Sequence, residues 1–345
     1  MKILSFFTTL LSLFSCAAGS YTHLDVKGFE ACLGEGRVVV LDVRTPDEYA
    51  GGHLRGAVNA DWYAPDFLMK VEAAWPKEVP LAVYCRSGKR SAAAASALAK
   101  AGYTVCNLQG GYLAWMEAGK PVVTFGTEVF LTDGNIPVAV TLIKHGSLEF
   151  AYNGCSVQVD PVAGYGKPTD YAAGFPKADV ILVTHEHPDH LDDVTLRGLS
   201  DDRTRLILNH KSAAAIGRGE VVGNGDSLDL PSGIRLDAVP AYNTTPGREK
   251  FHPKGSGNGY VLTMDGFRIY VAGDTEDIPE MAALKDIDLA FLPVNQPYTM
   301  TPEQCVRATG MIAPKVLIPY HFSQTDLSSI PGRLPGIKVL LRDMQ

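Results

Sequence analysis

An apolar tetrapeptide, Val180-Ile181-Leu182-Val183, runs directly into Thr184-His185-Glu186-His187-Pro188-Asp189-His190-Leu191, and no other segment of the 345-residue chain constrains it as strongly. The apolar run reads as a buried strand. Three imidazoles and a carboxylate at the end of such a strand are costly unless something binds them. Alternate residues of an extended segment share a face, so His185 and His187 can grip one cation together. Asp189 and His190, beyond the turn at Pro188, point toward a second. The fold is therefore expected to contain a sheet whose strand end carries side-chain ligands.

A different junction lies earlier. Leu81-Ala82-Val83-Tyr84 reads as a strand and Ser91 to Ala101 as an alanine-rich helix ended by Gly102. The linking residues, Cys85-Arg86-Ser87-Gly88-Lys89-Arg90, hold a thiol where loop amides and a helix N-terminus favour an anion. Arg86, Lys89 and Arg90 add full positive charge, so Cys85 reads as a reactive nucleophile. The other cysteines, at 16, 32, 106, 155 and 305, form no CxxC pair. Neither a disulfide scaffold nor a zinc knuckle is indicated, and any metal must come from His and Asp. Cys32, Cys106, Cys155 and Cys305 sit in apolar contexts and read as buried thiols.

The chain is longer than one core usually supports, which points to two domains. Residues 21–125 alternate short strands with helices, the pattern of a parallel α/β domain, and a break follows at Gly119-Lys120-Pro121. Residues 126–345 show strands at 138–143, 148–151, 156–159 and 180–183, with helices expected near 279–284 and 302–311. That mixture implies a layered domain with large sheets. A formal charge of −7 without a long Lys/Arg cluster argues against nucleic acid as a partner.

Residues 1–20 combine Lys2, an apolar stretch and the small residues Ser15-Cys16-Ala17-Ala18-Gly19, the pattern of a secretory signal peptide. Leu13-Phe14-Ser15-Cys16 resembles a bacterial lipobox, with Phe14 bulkier than usual. The protein is expected to be exported, periplasmic or anchored to a membrane through lipid on Cys16.

Two family resemblances follow from these motifs. Leu41-Asp42-Val43-Arg44-Thr45-Pro46-Asp47-Glu48-Tyr49, Gly52-His53-Leu54-Arg55-Gly56-Ala57, the Cys85 loop and Leu108-Gln109-Gly110-Gly111-Tyr112 resemble a single-domain rhodanese. The resemblance implies a persulfide carried on Cys85, with Arg86 and Arg90 beside it, and a thiol or sulfane-sulfur donor and acceptor as partners. Related phosphatases use a loop one residue longer between Cys and Arg, so sulfur transfer is favoured over phosphate hydrolysis. Asp42, Arg44 and His53 match family positions and read as mainly structural.

From about Glu128 onward the chain resembles the metallo-β-lactamase superfamily, in its lactonase-like branch of metal-dependent hydrolases. The fold implied is an αββα sandwich. Asp160, in Val157-Gln158-Val159-Asp160-Pro161, matches the aspartate that supports the metal loop. Asp274, in Ala272-Gly273-Asp274-Thr275, matches the bridging ligand, and His321, after Ile318-Pro319-Tyr320, the last histidine. The resemblance thus implies His185, His187, Asp189, His190, Asp274 and His321 around two divalent ions. Zinc is the first choice, with manganese and iron open. Where the family usually offers a further histidine, this chain has Asn243. His252 is the nearest substitute for the first cation's shell. His145 lies near the site by family position, and His210 reads as surface.

The function implied is a hydrolase acting on a small-molecule ester, lactone or phosphoester, with Asp189 as base, joined to a persulfide-forming sulfurtransferase. One alternative is a persulfide dioxygenase-like enzyme. Another is a hydrolase whose rhodanese domain is a non-catalytic carrier or docking module.

Overall fold

The computed structural model describes residues 20–166 and 168–344. The segment expected to be a signal peptide, including Cys16, lies before Ser20 and outside the described residues. The chain divides into two compact units, one running to Thr141 together with Ala151–Gly154, the other comprising Leu142–Phe150 and Cys155–Gln345. Among the described residues no helix is long and apolar enough to cross a membrane.

The first unit is built on a five-stranded sheet of β1 (Thr22–Leu24), β2 (Val39–Asp42), β3 (Ala57–Asn59), β4 (Leu81–Tyr84) and β5 (Val105–Leu108), in the order β1-β5-β4-β2-β3. Every pairing is parallel. Both faces are covered, so β2, β4 and β5 are buried at every position, which is why they read as continuous apolar runs. The sulfurs of Cys32 and Cys106 lie 3.7 Å apart as free, buried thiols.

Two seven-stranded sheets follow. One contains β6 (Gly126–Leu131), β7 (Pro137–Lys144), β8 (Ser147–Tyr152), β9 (Cys155–Val159), β10 (Val180–Val183), β11 (Arg205–Leu208) and β12 (Glu220–Val221), in the order β12-β11-β10-β9-β8-β7-β6. The other runs in sequence from β13 (Ser227–Asp229) and β14 (Arg235–Ala241) through β15 (Gly257–Met264), β16 (Phe267–Val271), β17 (Leu289–Pro293) and β18 (Val316–Tyr320) to β19 (Lys338–Val339). Strands β9 to β12 are parallel, as are β16 to β19, while β13 to β16 alternate.

The inner faces of these sheets share a core. Phe150 and Phe291, both fully buried, meet edge to face at 6.0 Å, and the Tyr260 hydroxyl donates to the Val183 carbonyl at 2.7 Å. Truncating Phe291 to Ala there would cost about 3–5 kcal/mol, transfer and cavity terms together. The helix expected at 279–284 is instead a short 3-10 turn, Pro279–Ala283. The helix at 302–312 forms, opened by a Thr301/Gln304 capping box.

Candidate metal centre and cysteine loop

Strands β9, β10, β16 and β18 each lead into a residue of one cluster, at the carboxyl ends of parallel strands. Beyond β10, His185 and His190 are buried and His187 and Asp189 partly so. Beyond β16 stands Asp274, and beyond β18 stands His321, both buried. Gly273 makes the first of these turns possible. Its φ is +64°, and a Cβ there would lie 2.7 Å from the Asn258 carbonyl oxygen.

The two Asp274 oxygens face different donors. Oδ1 lies 3.4 Å from His190 Nε2 and 3.5 Å from His321 Nε2. Oδ2 lies 3.3 Å from His252 Nε2 and 3.9 Å from His185 Nε2. Asp189 Oδ2 joins the first set, 3.7 Å from His190 Nε2 and 3.4 Å from His321 Nε2. His187 Nδ1 joins the second, 3.0 Å from His185 Nε2. Donors around one tetrahedral zinc with bonds of about 2.1 Å stand about 3.4 Å apart. Most of these separations lie near that value, and the donor atoms of His185, His187 and His252, and of His145, Asp189, His190 and His321, lie within 4.8 Å of one another in each group.

Hydrogen bonding supports this fit. His190 Nε2, His252 Nε2, His321 Nε2 and Asp274 Oδ1 are buried without a hydrogen-bond partner in the chain. Unpaired buried polar atoms are costly, and here they converge, as ligand atoms for a cation would. The other ring nitrogens of two of these histidines have partners. His190 Nδ1 lies 2.8 Å from Asp160 Oδ2, and His252 Nδ1 lies 3.1 Å from the Tyr298 carbonyl, contacts that leave each Nε2 facing the cluster. Asp160 also accepts from the Thr184 amide and hydroxyl at 2.7 and 2.6 Å, tying β9 to the histidine loop.

Charge follows the same geometry. Burial lowers the basicity of His190, but Asp274 and Asp160 outweigh it and push its pKa up to about 10. Burial alone would raise the Asp189 pKa, yet contacts from His145 and His321 hold it well below the usual carboxylate range. Desolvation by burial pushes His185 far down, so its ring is neutral, the form in which imidazole can bind a cation.

Asn243 and His252 adopt different roles. The Asn243 amide donates to the carbonyls of Tyr298 at 2.7 Å and Arg248 at 3.3 Å, and its backbone N–H donates to the His252 carbonyl. Asn243 thus braces the loop that carries His252 toward Asp274. His145, little weighted in the sequence, is drawn into the cluster, its Nε2 3.1 Å from Asp189 Oδ2. A lone histidine at a strand end carries no pattern of its own; family position put it near the site, and the structure shows its contact with Asp189. His210 opens a helix and is exposed.

In the first unit Cys85 follows β4 and is buried, with the Ser91 hydroxyl 3.4 Å from its sulfur. Gly88 turns the loop with φ +87°, and the helix begins at Lys89, two residues before the Ser91 expected from the sequence. The Gly110-Gly111 segment straps the loop from above. Tyr112 N–H donates to the Cys85 carbonyl at 2.7 Å, and a Cβ on Gly111 would lie 2.3 Å from that same oxygen. Arg90 makes a two-pronged ion pair with Glu48, at 2.7 Å on each arm. Its charge is therefore balanced inside the protein, which leaves Arg86 and Lys89, both exposed, as the open cations of the loop. Asp42 and Arg44 pair in the core, and Arg44 also donates to the Gly52 carbonyl at 2.7 Å.

A histidine–aspartate cluster at the strand ends of paired sheets defines a metal-binding domain of the metallo-β-lactamase fold. The chain belongs to the beta-lactamase superfamily, whose domain model matches residues 139–321, and it carries a rhodanese-like domain at residues 25–118. A UPF0173 metal-dependent hydrolase of Thermococcus onnurineus is 29% identical over 202 residues, 54% of this chain and 85% of the relative. One from Methanocorpusculum labreanum is 34% identical over 152 residues, covering 42% of this chain and 68% of the relative. A crystal structure from Parabacteroides distasonis, described as a metal-dependent hydrolase, is 50% identical with a TM-score of 0.62. It aligns with 64% of this chain and 100% of its own.

Proposed function

We propose that this is an exported two-site protein, a dinuclear metal-dependent hydrolase joined to a persulfide-forming sulfurtransferase. The observation that carries the hydrolase reading is Asp274, whose two oxygens face two separate donor sets. His185, His187 and His252 would hold one cation, and Asp189, His190 and His321 the other. The relatives named as metal-dependent hydrolases support the same reading.

Metal held by these residues would supply Lewis acidity that lowers the pKa of water toward neutrality and polarises an ester, lactone or phosphoester group. The chain's own residues orient and exclude. Asp160 and the Tyr298 carbonyl fix the His190 and His252 rings, and burial of Asp274 keeps bulk water from its oxygens. Asp189, with 21% of its side chain exposed against 3% for Asp274, is the more open carboxylate and suited to move a proton from water to the leaving group. A screen of the zinc- or manganese-loaded chain against lactones, phosphodiesters and thioesters tests this reading. Turnover in none of the three classes would count against it.

At the other site, Cys85 sulfur would attack the outer sulfur of a donor such as thiosulfate. The donor's S–S bond breaks, sulfite leaves with the bonding pair, and Cys85 retains a persulfide for a thiol acceptor. Release of sulfite from thiosulfate by wild type but not by Cys85→Ser is the expected result. Export rests on the pattern of residues 1–20, and N-terminal sequencing of the mature protein from a bacterial host checks both cleavage and lipid on Cys16.

A further inference from the structure

We infer that His145 is a positioning residue for the second cation, holding Asp189 by a hydrogen bond from outside the ligand shell; this rests on the dinuclear reading above. Strand β7 ends at Lys144, and His145 turns the chain with φ +47°, a conformation uncommon for a residue with a side chain. Strained backbone of this kind persists only where its surroundings hold it. Here the His145 N–H donates to the Met344 carbonyl, and the His145 carbonyl accepts from the His321 N–H at 3.1 Å. The turn is thereby locked to the residue that ends β18. His321 itself has φ +48°, and the two imidazoles lie with centroids 3.7 Å apart.

The next residue is equally constrained. A Cβ on Gly146 would lie 2.9 Å from His190 Cε1, so the turn packs directly beneath the ligand rings. These contacts aim His145 Nε2 at Asp189 Oδ2, 3.1 Å away. His145, Asp189, His190 and His321 offer donor atoms that all lie within 4.8 Å of one another, yet within this group His145 Nε2 is engaged by the Asp189 carboxylate while the Nε2 atoms of His190 and His321 are buried without a partner. A nitrogen already bonded to a carboxylate is suited to hold that ligand in place, and it leaves a position on the cation open for water. The function left to His145 is to orient the carboxylate, as partners outside the ligand shell do for other metal ligands.

The test is a cobalt(II) titration of the full chain, read by visible absorption. In wild type, two equivalents bind. His145→Phe keeps a ring against His321 but removes the donor, so the second equivalent should bind about 10–100-fold more weakly with a shifted spectrum. The first equivalent, on His185, His187 and His252, should be unchanged. His145→Gln, which restores an N–H donor, should recover most of the affinity. An unaltered second equivalent in His145→Phe would overturn the proposal. So would loss of a whole cobalt equivalent in both variants, which would make His145 a ligand. Fewer than two equivalents in wild type would instead overturn the dinuclear reading, and the proposal with it.

Discussion

The Cys85 loop and the histidine–aspartate cluster both stand at the carboxyl ends of parallel strands, yet they treat charge in opposite ways. Around Cys85 the ion pairs close within the protein, Arg90 on Glu48 and Arg44 on Asp42. The loop's remaining attraction for an anion comes from exposed cations and backbone. In the cluster, buried side-chain atoms converge and find no partner in the chain. A loop proposed to handle a passing sulfur species could be balanced beforehand, whereas a cluster proposed to hold a resident cation would keep its donors in reserve.

The largest effect expected from this contrast is in Asp274→Ala. Removing the carboxylate shared by both donor sets should abolish hydrolysis and lower metal content, while sulfite release from thiosulfate stays within about twofold of wild type. Loss of both activities would mean that the sites are not separable. Cys85→Ser is the converse, with sulfur transfer gone and metal content and hydrolysis intact.

A smaller effect is expected where the cluster is braced from outside. Asp160→Asn weakens the contact to His190 Nδ1, and partners of that kind are worth about 10–100-fold in metal affinity. Competition with a colorimetric chelator measures this directly, and an unchanged affinity would show that the β9 aspartate serves folding alone.

The smallest effect concerns pH. The ion pair with Arg90, aided by the Thr45 amide, holds Glu48 at about 2, below its ordinary 4.5. A depressed carboxylate contributes stability that is full above the unfolded value and lost as pH falls through the folded one. Stability from this pair should therefore decline between about pH 4.5 and 2. The pair is part-exposed, so the change should be modest. Thermal melts of Glu48→Gln should show a shallower acid decline than wild type, and parallel curves would remove Glu48 from the loop's support.

Much of both sites was legible because local pattern and site coincide. The apolar run Val180–Val183 marks a strand, and the spacing of His185, His187, Asp189 and His190 puts their donors in two directions from its end. Cys85 stood out by the same logic of strand, loop and helix. What stayed hidden depends on distant segments. Glu48 closes the capping box begun by Thr45, and nothing local shows that it also grips Arg90. His145 is brought to Asp189 by a turn whose lock is the Met344 carbonyl, almost 200 residues away in sequence. The short turn at Pro279–Ala283 carries too few residues to propagate as an α-helix, so propensity alone overestimated it.

The most direct measurement is the metal content of the full chain after zinc loading and desalting, by inductively coupled plasma mass spectrometry, with His252→Ala alongside wild type. Two ions per chain in wild type and one in His252→Ala are expected, because that histidine faces Asp274 Oδ2 in one donor set only. One ion in wild type, or two in His252→Ala, would contradict a dinuclear centre bridged by Asp274.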